Sequence, residues 1–129
     1  MTIYLADTQI VLWAGAAPDR LGDEVRAILT DATTDVVVSA VSVAEMAIKR
    51  SIGKLALPVG PLEFCRTLGF RLVPLEAEHA DRAGELPLHH RDPFDRLLIA
   101  QASATEATLI SADRAFADYA GHVTLLANT

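Results

Sequence analysis

Short apolar runs rich in β-branched residues alternate along the chain with stretches in which apolar residues recur at helical spacing. The predicted strands are residues 3–6, 36–39, 70–74, 108–111 and 123–126. The predicted helices are residues 8–14, 23–30, 42–52, 61–68, 77–86, 93–104 and 114–119. Such alternation indicates an α/β protein with three layers, in which helices cover both faces of a central, mainly parallel β-sheet. The length of 129 residues fits a single domain, residues 1–129.

Four acidic residues, one for each main strand-to-helix connection, follow or lie just past short apolar runs. They are Asp7, Glu45, Asp95 and Asp113. The carboxyl ends of parallel strands share one edge of the sheet, where open α/β folds bind their ligands. Carboxylates gathered there repel one another, and a divalent cation is the usual reason to bring them together. Because Mg²⁺ and Mn²⁺ prefer oxygen ligands, the pattern predicts a Mg²⁺ site that Mn²⁺ could also occupy.

Each acid also has a purely structural explanation as a helix cap. Ser42 and Glu45 have the spacing of a capping box, with Ser42 as N-cap. Asp92 and Asp95 take the N-cap and N3 positions of a helix that starts with proline. Ser, Thr and Asn cap as well as Asp does, so an acid at every connection favours a shared site over four separate caps.

Composition limits the functional classes. Hydrophobic residues make up 51% of the chain and the mean hydropathy is +0.29, which predicts a buried subunit or partner surface. The formal net charge of −6 provides no general basic field for nucleic acid, although it does not exclude nucleic-acid binding. No signal peptide or membrane span is recognisable, and the single Cys65 cannot form an intrachain disulfide. These features predict a cytoplasmic protein.

Several common catalytic motifs are missing from the chain. There is no GxxxxGK[ST] loop for nucleotide phosphates and no GxSxG elbow for a serine nucleophile. His89 and His90 are adjacent in a proline-bounded loop, which favours a loop or supporting role over zinc binding. After these exclusions, one mechanism is left: a metal ion at the acidic sheet edge that activates water. This chemistry suits phosphodiester hydrolysis.

Ordered motifs surround the four acids. They are YLADT (4–8), VSA (38–40), AIKR (47–50), GKL (53–55), LPLHHRDPFDRLLIAQA (86–102) and LISAD (109–113). Together they resemble the PIN domain, in particular the VapC toxin ribonucleases, over almost the whole chain. Two departures are Gln9, where close relatives often have His, and the pair Val43 and Ala44, where they often have Leu-Trp.

The resemblance implies a PIN-like fold and a Mg²⁺-dependent endoribonuclease, the toxin of a type II toxin–antitoxin system. Asp7, Glu45, Asp95 and Asp113 match the catalytic, metal-binding acids of that family. Thr8 and Ser111 match neighbouring hydroxyl positions, and Asp92 is a fifth acid that either caps its helix or orients a ligand. Such toxins form homodimers and are inhibited by a cognate VapB-like antitoxin whose C-terminal segment occupies the active groove.

Basic residues near the acidic motifs are candidate contacts for RNA phosphates, and a solvated helix face is the alternative for each. They are Lys49, Arg50, Lys54, Arg91 and Arg96.

Other functions remain open from the sequence. One alternative is a catalytically inactive PIN fold that only binds a partner. A phosphatase with Asp7 as nucleophile would need a second Asp where Gln9 stands, and a phospho-receiver domain would need a lysine after a late strand.

Overall fold

Five parallel strands form one sheet in the computed structural model, which describes residues 2–89 and 91–129. The strands are β1 (Ile3–Ala6), β2 (Asp35–Ser39), β3 (Arg71–Val73), β4 (Thr108–Ser111) and β5 (Thr124–Ala127). Their order is β3-β2-β1-β4-β5, and every neighbouring pair is parallel. The chain therefore builds the sheet outward from β1, first on one side and then on the other.

Helices cover both faces of this sheet. They are α1 (Thr8–Ala16), α2 (Asp23–Thr30), α3 (Ala40–Ser51), α4 (Pro61–Thr67), α5 (Ala77–Arg82) and α6 (Pro93–Thr105). Short 3-10 helices occupy Pro18–Arg20, Ala83–Glu85 and Arg114–Tyr119. Across the described residues, no helix has both the length and the apolar character that a membrane crossing requires.

Alternation along the strands divides the buried apolar residues between two cores. Leu5 and Leu109 belong to one core, which includes Leu98 of α6. Ala6 and Ile110, the next residues along the same strands, belong to the other core, which includes Ile10 of α1. Successive strand residues point to opposite faces, so each face receives its own layer of helices. The predicted three-layer α/β architecture is confirmed.

The structure corrects several predicted boundaries. Helix α3 begins at Ala40 rather than at Ser42, because the Ser39 side chain caps it by accepting a hydrogen bond from the Val41 N–H. The predicted helix 77–86 is α-helical only to Arg82 and then tightens into a 3-10 turn. Residues 114–119 form a 3-10 helix rather than an α-helix.

The adjacent histidines fall at the edge of the described chain. His90 lies outside the described residues. The His89 ring packs edge-on against the Tyr119 ring, with their centroids 5.2 Å apart. This contact agrees with a loop role for His89.

Candidate functional site

A cavity of ≈ 200 Å³ lies where the carboxyl ends of β1 and β4 meet the surrounding helices. Strand order reverses between β1 and β4, and in open α/β sheets this point forms a crevice for ligands. Five acidic residues line the cavity: Asp7, Glu45, Asp92, Asp95 and Asp113. The fold thus brings together the four acids predicted from the sequence and the ambiguous fifth.

Three of the acids are genuine helix caps. The Asp7 side chain accepts from the Ile10 N–H at 2.9 Å, and the Asp113 side chain accepts from the Ala115 N–H at 2.9 Å. Asp92 caps α6 by accepting from the Phe94 N–H at 2.9 Å. The capping explanation is therefore correct for these residues, and it coexists with their convergence on one cavity.

Glu45 and Asp95 reach the cavity in other ways than the sequence suggested. Because α3 begins at Ala40, Glu45 lies in the second turn of the helix and takes no part in a capping box. Ser42 is accordingly a buried first-turn residue and not the N-cap. Asp95 lies in the first turn of α6, well past the end of β3, so it does not sit directly at a strand end.

Hydroxyl groups orient two of the acids. Thr8 Oγ1 lies 2.7 Å from Glu45 Oε1 and 3.0 Å from the Ser42 Oγ, and all three side chains are buried. A hydroxyl carries one proton, and the shorter contact to the carboxylate is the one expected to receive it. Ser111 hydrogen-bonds the Asp7 carboxylate and accepts from the Asp113 N–H at 3.0 Å. The sequence predicted Ser42 only as a helix cap and not as a site residue. Its contact with Thr8 becomes visible only in the structure, where the Ser42 side chain is buried.

The Asp7 carboxyl is buried enough to resist ionisation. Burial is the largest cause and raises its pKa from the usual 3.8 to about 6. The charge of Glu45 acts in the same direction, while hydrogen bonds to the Asp7 side chain oppose the rise in pKa.

The Asp95 carboxyl also resists ionisation, because its pKa is raised from the usual 3.8 to about 7. Burial is again the largest cause, followed by the charges of four other acids in the cavity, Asp92, Glu45, Asp113 and Asp7. Repulsion among these carboxylates is thus an electrostatic feature of the folded chain, and a bound cation would relieve it.

The donor set fits a hard divalent cation. All five acidic side chains offer oxygen, the ligand that Mg²⁺ and Mn²⁺ prefer. Within residues 2–89 and 91–129, no three His, Cys, Asp or Glu side chains form a ready-made coordination set. Lys49 Nζ lies 2.6 Å from Glu45 Oε2, so an internal cation already engages one of the acids.

The candidate RNA-binding cations occupy different surroundings. Lys49 lines the cavity, while Arg50, Lys54 and Arg91 are exposed outside its lining. Arg96 is half-buried, and its guanidinium donates to the carbonyls of Ala83, Leu86 and Pro87 at 2.7, 3.0 and 2.9 Å.

Other cavity-lining residues were not proposed as site residues from the sequence. Gln9, Leu12, Met46, Leu55 and Phe116 complete the lining beside the acids. Gln9 directly follows the first acidic motif, at a position where close relatives often have His. The apolar members carry no local sequence signal that separates a cavity wall from core.

The fold and the site define an α/β protein with an acidic cavity at its topological switch point. The model of the PIN domain matches residues 4–122, so the chain belongs to the PIN domain family. A search of curated proteins finds no match.

Several solved structures share the fold. One is the crystal structure of VapBC2 from Rickettsia felis bound to a DNA fragment from the VapBC2 promoter. A chain of that structure has a TM-score of 0.73 at 16% identity. The match covers 99% of this chain and 100% of that one. A chain of VapBC-5 from Mycobacterium tuberculosis, a member of the VapBC family of toxin-antitoxin systems, has a TM-score of 0.65 at 18% identity, with coverage of 99% and 98%. A chain of FitAcB from Neisseria gonorrhoeae has a TM-score of 0.60 at 21% identity, with coverage of 95% and 96%.

Proposed function

We propose that this chain is the toxin component of a type II toxin–antitoxin system and acts as a metal-dependent endoribonuclease, a hydrolase of RNA phosphodiester bonds. The observation that carries the proposal is the cavity in which acids from four separate parts of the chain converge at the switch point of a PIN domain. The similarity in fold to chains of toxin-antitoxin complexes supports the biological setting. Because the proposed substrate is RNA, we expect the protein to act in the cytoplasm.

Asp7, Asp95 and Asp113 are the residues that would hold the main Mg²⁺, and Glu45 would complete its shell or assist a second ion. Mn²⁺ could replace Mg²⁺ because both prefer oxygen ligands. A divalent cation held there would supply an activated water and would stabilise charge on the leaving oxygen of a phosphodiester.

The chain's own residues supply the alignment of these acids. Thr8 holds one oxygen of Glu45, and Ser111 links Asp7 to the backbone of Asp113. Asp92 fixes the start of α6 and thereby the position of Asp95. Preorganised ligands lose little freedom when a cation binds, so these supporting residues should affect metal affinity without contacting the metal.

RNA phosphates would be contacted by basic residues around the cavity. Lys49 is the best placed because it already lines the cavity, and Arg50 and Lys54 follow it at the end of α3 and in the turn beyond. Arg91 lies one residue before the cap of α6. Arg96 is also a candidate contact for RNA. Its hydrogen bonds to the carbonyls of Ala83, Leu86 and Pro87 give it a structural role as well.

A VapB-like antitoxin and a second copy of the chain are the proposed protein partners. Large apolar side chains remain exposed at Ile48, Ile52, Leu62 and Leu88 within the described chain. Exposed apolar residues of this kind are available to a partner surface, and the 51% hydrophobic content points in the same direction.

RNA cleavage by the purified chain, freed of any bound antitoxin, tests the proposal. Total RNA is incubated with Mg²⁺, Mn²⁺ or EDTA. The native protein, Asp7→Asn and the matched exposed variant Asp31→Asn are compared. We expect cleavage that needs metal, is lost in Asp7→Asn and is retained in Asp31→Asn. Metal binding by a folded native protein that cleaves no RNA would favour a catalytically inactive binding module instead.

A further inference from the structure

Both carboxylate oxygens of Glu45 are engaged within the protein. Oε2 lies 2.6 Å from Lys49 Nζ, one turn further along α3, and Oε1 lies 2.7 Å from the Thr8 hydroxyl. The Glu45 side chain is only 7% exposed, whereas the Lys49 side chain is 45% exposed. Glu45 is therefore held by a buried hydroxyl on one oxygen and by a half-exposed cation on the other.

Lys49 is the one basic residue among the described residues that line the acidic cavity. The hydrogen bond to Glu45 is the main cause that raises the pKa of Lys49, and the charges of Asp92 and Asp95 add to it. The acids that would hold a divalent cation thus also stabilise this ammonium group. A compact point charge on a four-carbon stem is well suited to occupy such a position and to leave it.

We propose that Lys49 is a positioning residue that competes with the divalent cation for Glu45. In the metal-free protein its ammonium group neutralises Glu45, and it withdraws when the cation binds. The inference rests on the proposed metal site. Partly exposed ion pairs are weak, so the Lys49 ammonium group can leave Glu45 at a small cost in free energy. That cost is still subtracted from the binding free energy of the cation, so the competition lowers the affinity for metal.

The size of the effect follows from electrostatics. Removing the half-exposed ammonium charge beside a site that binds a divalent ion should raise the affinity for that ion by about threefold to tenfold. Lys49→Met keeps a long, unbranched side chain on α3 and removes the ammonium charge. Lys54→Met makes the same change at an exposed lysine outside the cavity lining and serves as the matched control.

Mn²⁺ alone is the first probe, and its binding is followed by electron paramagnetic resonance without any RNA. We expect Lys49→Met to bind Mn²⁺ about threefold to tenfold more tightly than the native protein, and Lys54→Met to change by less than about twofold. Lys49→Arg retains the charge and should retain the weaker, native affinity. Thermal melts of the metal-free variants check that each is folded.

A double-mutant cycle separates competition for Glu45 from a general field effect. In a Glu45→Gln background Lys49 has lost the carboxylate with which it forms its ion pair, so Lys49→Met should change the Mn²⁺ affinity much less than in the native background. An equal gain in both backgrounds would assign the effect to the overall charge and overturn the competition.

Nuclear magnetic resonance reports on the surroundings of each ammonium group separately, because the chain has only two lysines, Lys49 and Lys54. In protein labelled with ¹³Cε-lysine, diamagnetic Mg²⁺ should shift the Lys49 signal and leave that of Lys54 in place. Mn²⁺ binding that is equally tight in native protein and Lys49→Met, with an unmoved Lys49 signal, would overturn this inference and leave the metal site standing. Failure of both proteins to bind Mn²⁺ would instead refute the metal site itself, and the inference with it.

Discussion

Replacement of Asp7 by asparagine should stabilise the metal-free protein at neutral pH while removing its activity. Asp7 is buried, and its pKa of about 6 means that folding at neutral pH carries the cost of an ionised carboxylate in a poorly solvated site. Asparagine is uncharged and nearly the same shape. It can still accept the capping hydrogen bond from the Ile10 N–H, since Asn and Asp cap equally well.

The magnitude follows from the pKa in the two states. For an acid whose pKa rises from 3.8 to about 6 on folding, the stability is full below pH 3.8 and is lost as the pH rises through 6. At 1.36 kcal/mol for each pH unit, the loss at pH 7.5 is about 3 kcal/mol. Asn cannot accept from both the Ser111 hydroxyl and the Ala112 N–H, which costs about 1 kcal/mol. The net gain for Asp7→Asn should be about 1–2 kcal/mol, or about 4–8 °C in Tm.

Urea denaturation in EDTA at pH 7.5 and at pH 4.0 measures this effect. At pH 4.0 the native Asp7 is protonated in the folded state, so the advantage of Asp7→Asn should vanish. Asp31→Asn changes an exposed acid whose pKa is lowered by hydrogen bonds from Thr33, so it should give no gain at pH 7.5. A destabilised Asp7→Asn at pH 7.5, or a gain of equal size at both pH values, would refute the reasoning from burial.

Three further predictions concern stabilisation by Mg²⁺, the hydrogen bonds of Arg96 and the packing around Gly15. At pH 7.5, Mg²⁺ at 100 times its Kd should stabilise the native protein by about 2.7 kcal/mol in thermal melts, and no shift at millimolar Mg²⁺ would count against the site. Arg96→Lys should lower the free energy of unfolding in urea by about 1–3 kcal/mol, because one ammonium group cannot replace a guanidinium that serves three carbonyls; native stability would contradict that structural role. Gly15→Ala should cost about 1–3 kcal/mol because a Cβ there would overlap the Phe64 ring, whereas Gly121→Ala meets open space and should be nearly neutral; equal effects of the two would contradict the packing.

The convergence of the acids could be predicted because it depends on topology more than on local detail. Alternating strands and helices imply a parallel sheet, and the residues after β1 and β4 then share one edge. Asp7 and Asp113 occupy those places. Asp95 was predicted to lie at a strand-to-helix connection too, but α5 and a loop separate it from β3, so it reaches the cavity from the first turn of α6.

Local capping patterns were less reliable than topology. Ser39 and Ser42 are three residues apart, and either could start a helix on propensity alone. The structure uses Ser39, which shifts Glu45 into the second turn and frees Ser42 to contact Thr8. With α3 starting at Ala40, the Glu45 carboxylate takes no part in capping and lines the cavity instead.

Arg96 illustrates what a linear pattern cannot contain. Its place among the acidic motifs suggested a phosphate contact, but the carbonyls of Ala83, Leu86 and Pro87, which accept from its guanidinium, lie 9 to 13 residues earlier in the chain and meet it only after folding. The Tyr119 hydroxyl, from a still more distant element, donates to the same Pro87 carbonyl at 2.7 Å. These contacts hold residues 83–87 against α6 and the 3-10 helix Arg114–Tyr119. A basic residue beside an acidic site can therefore serve the site through the protein backbone, by holding the loop from which the acidic helix starts.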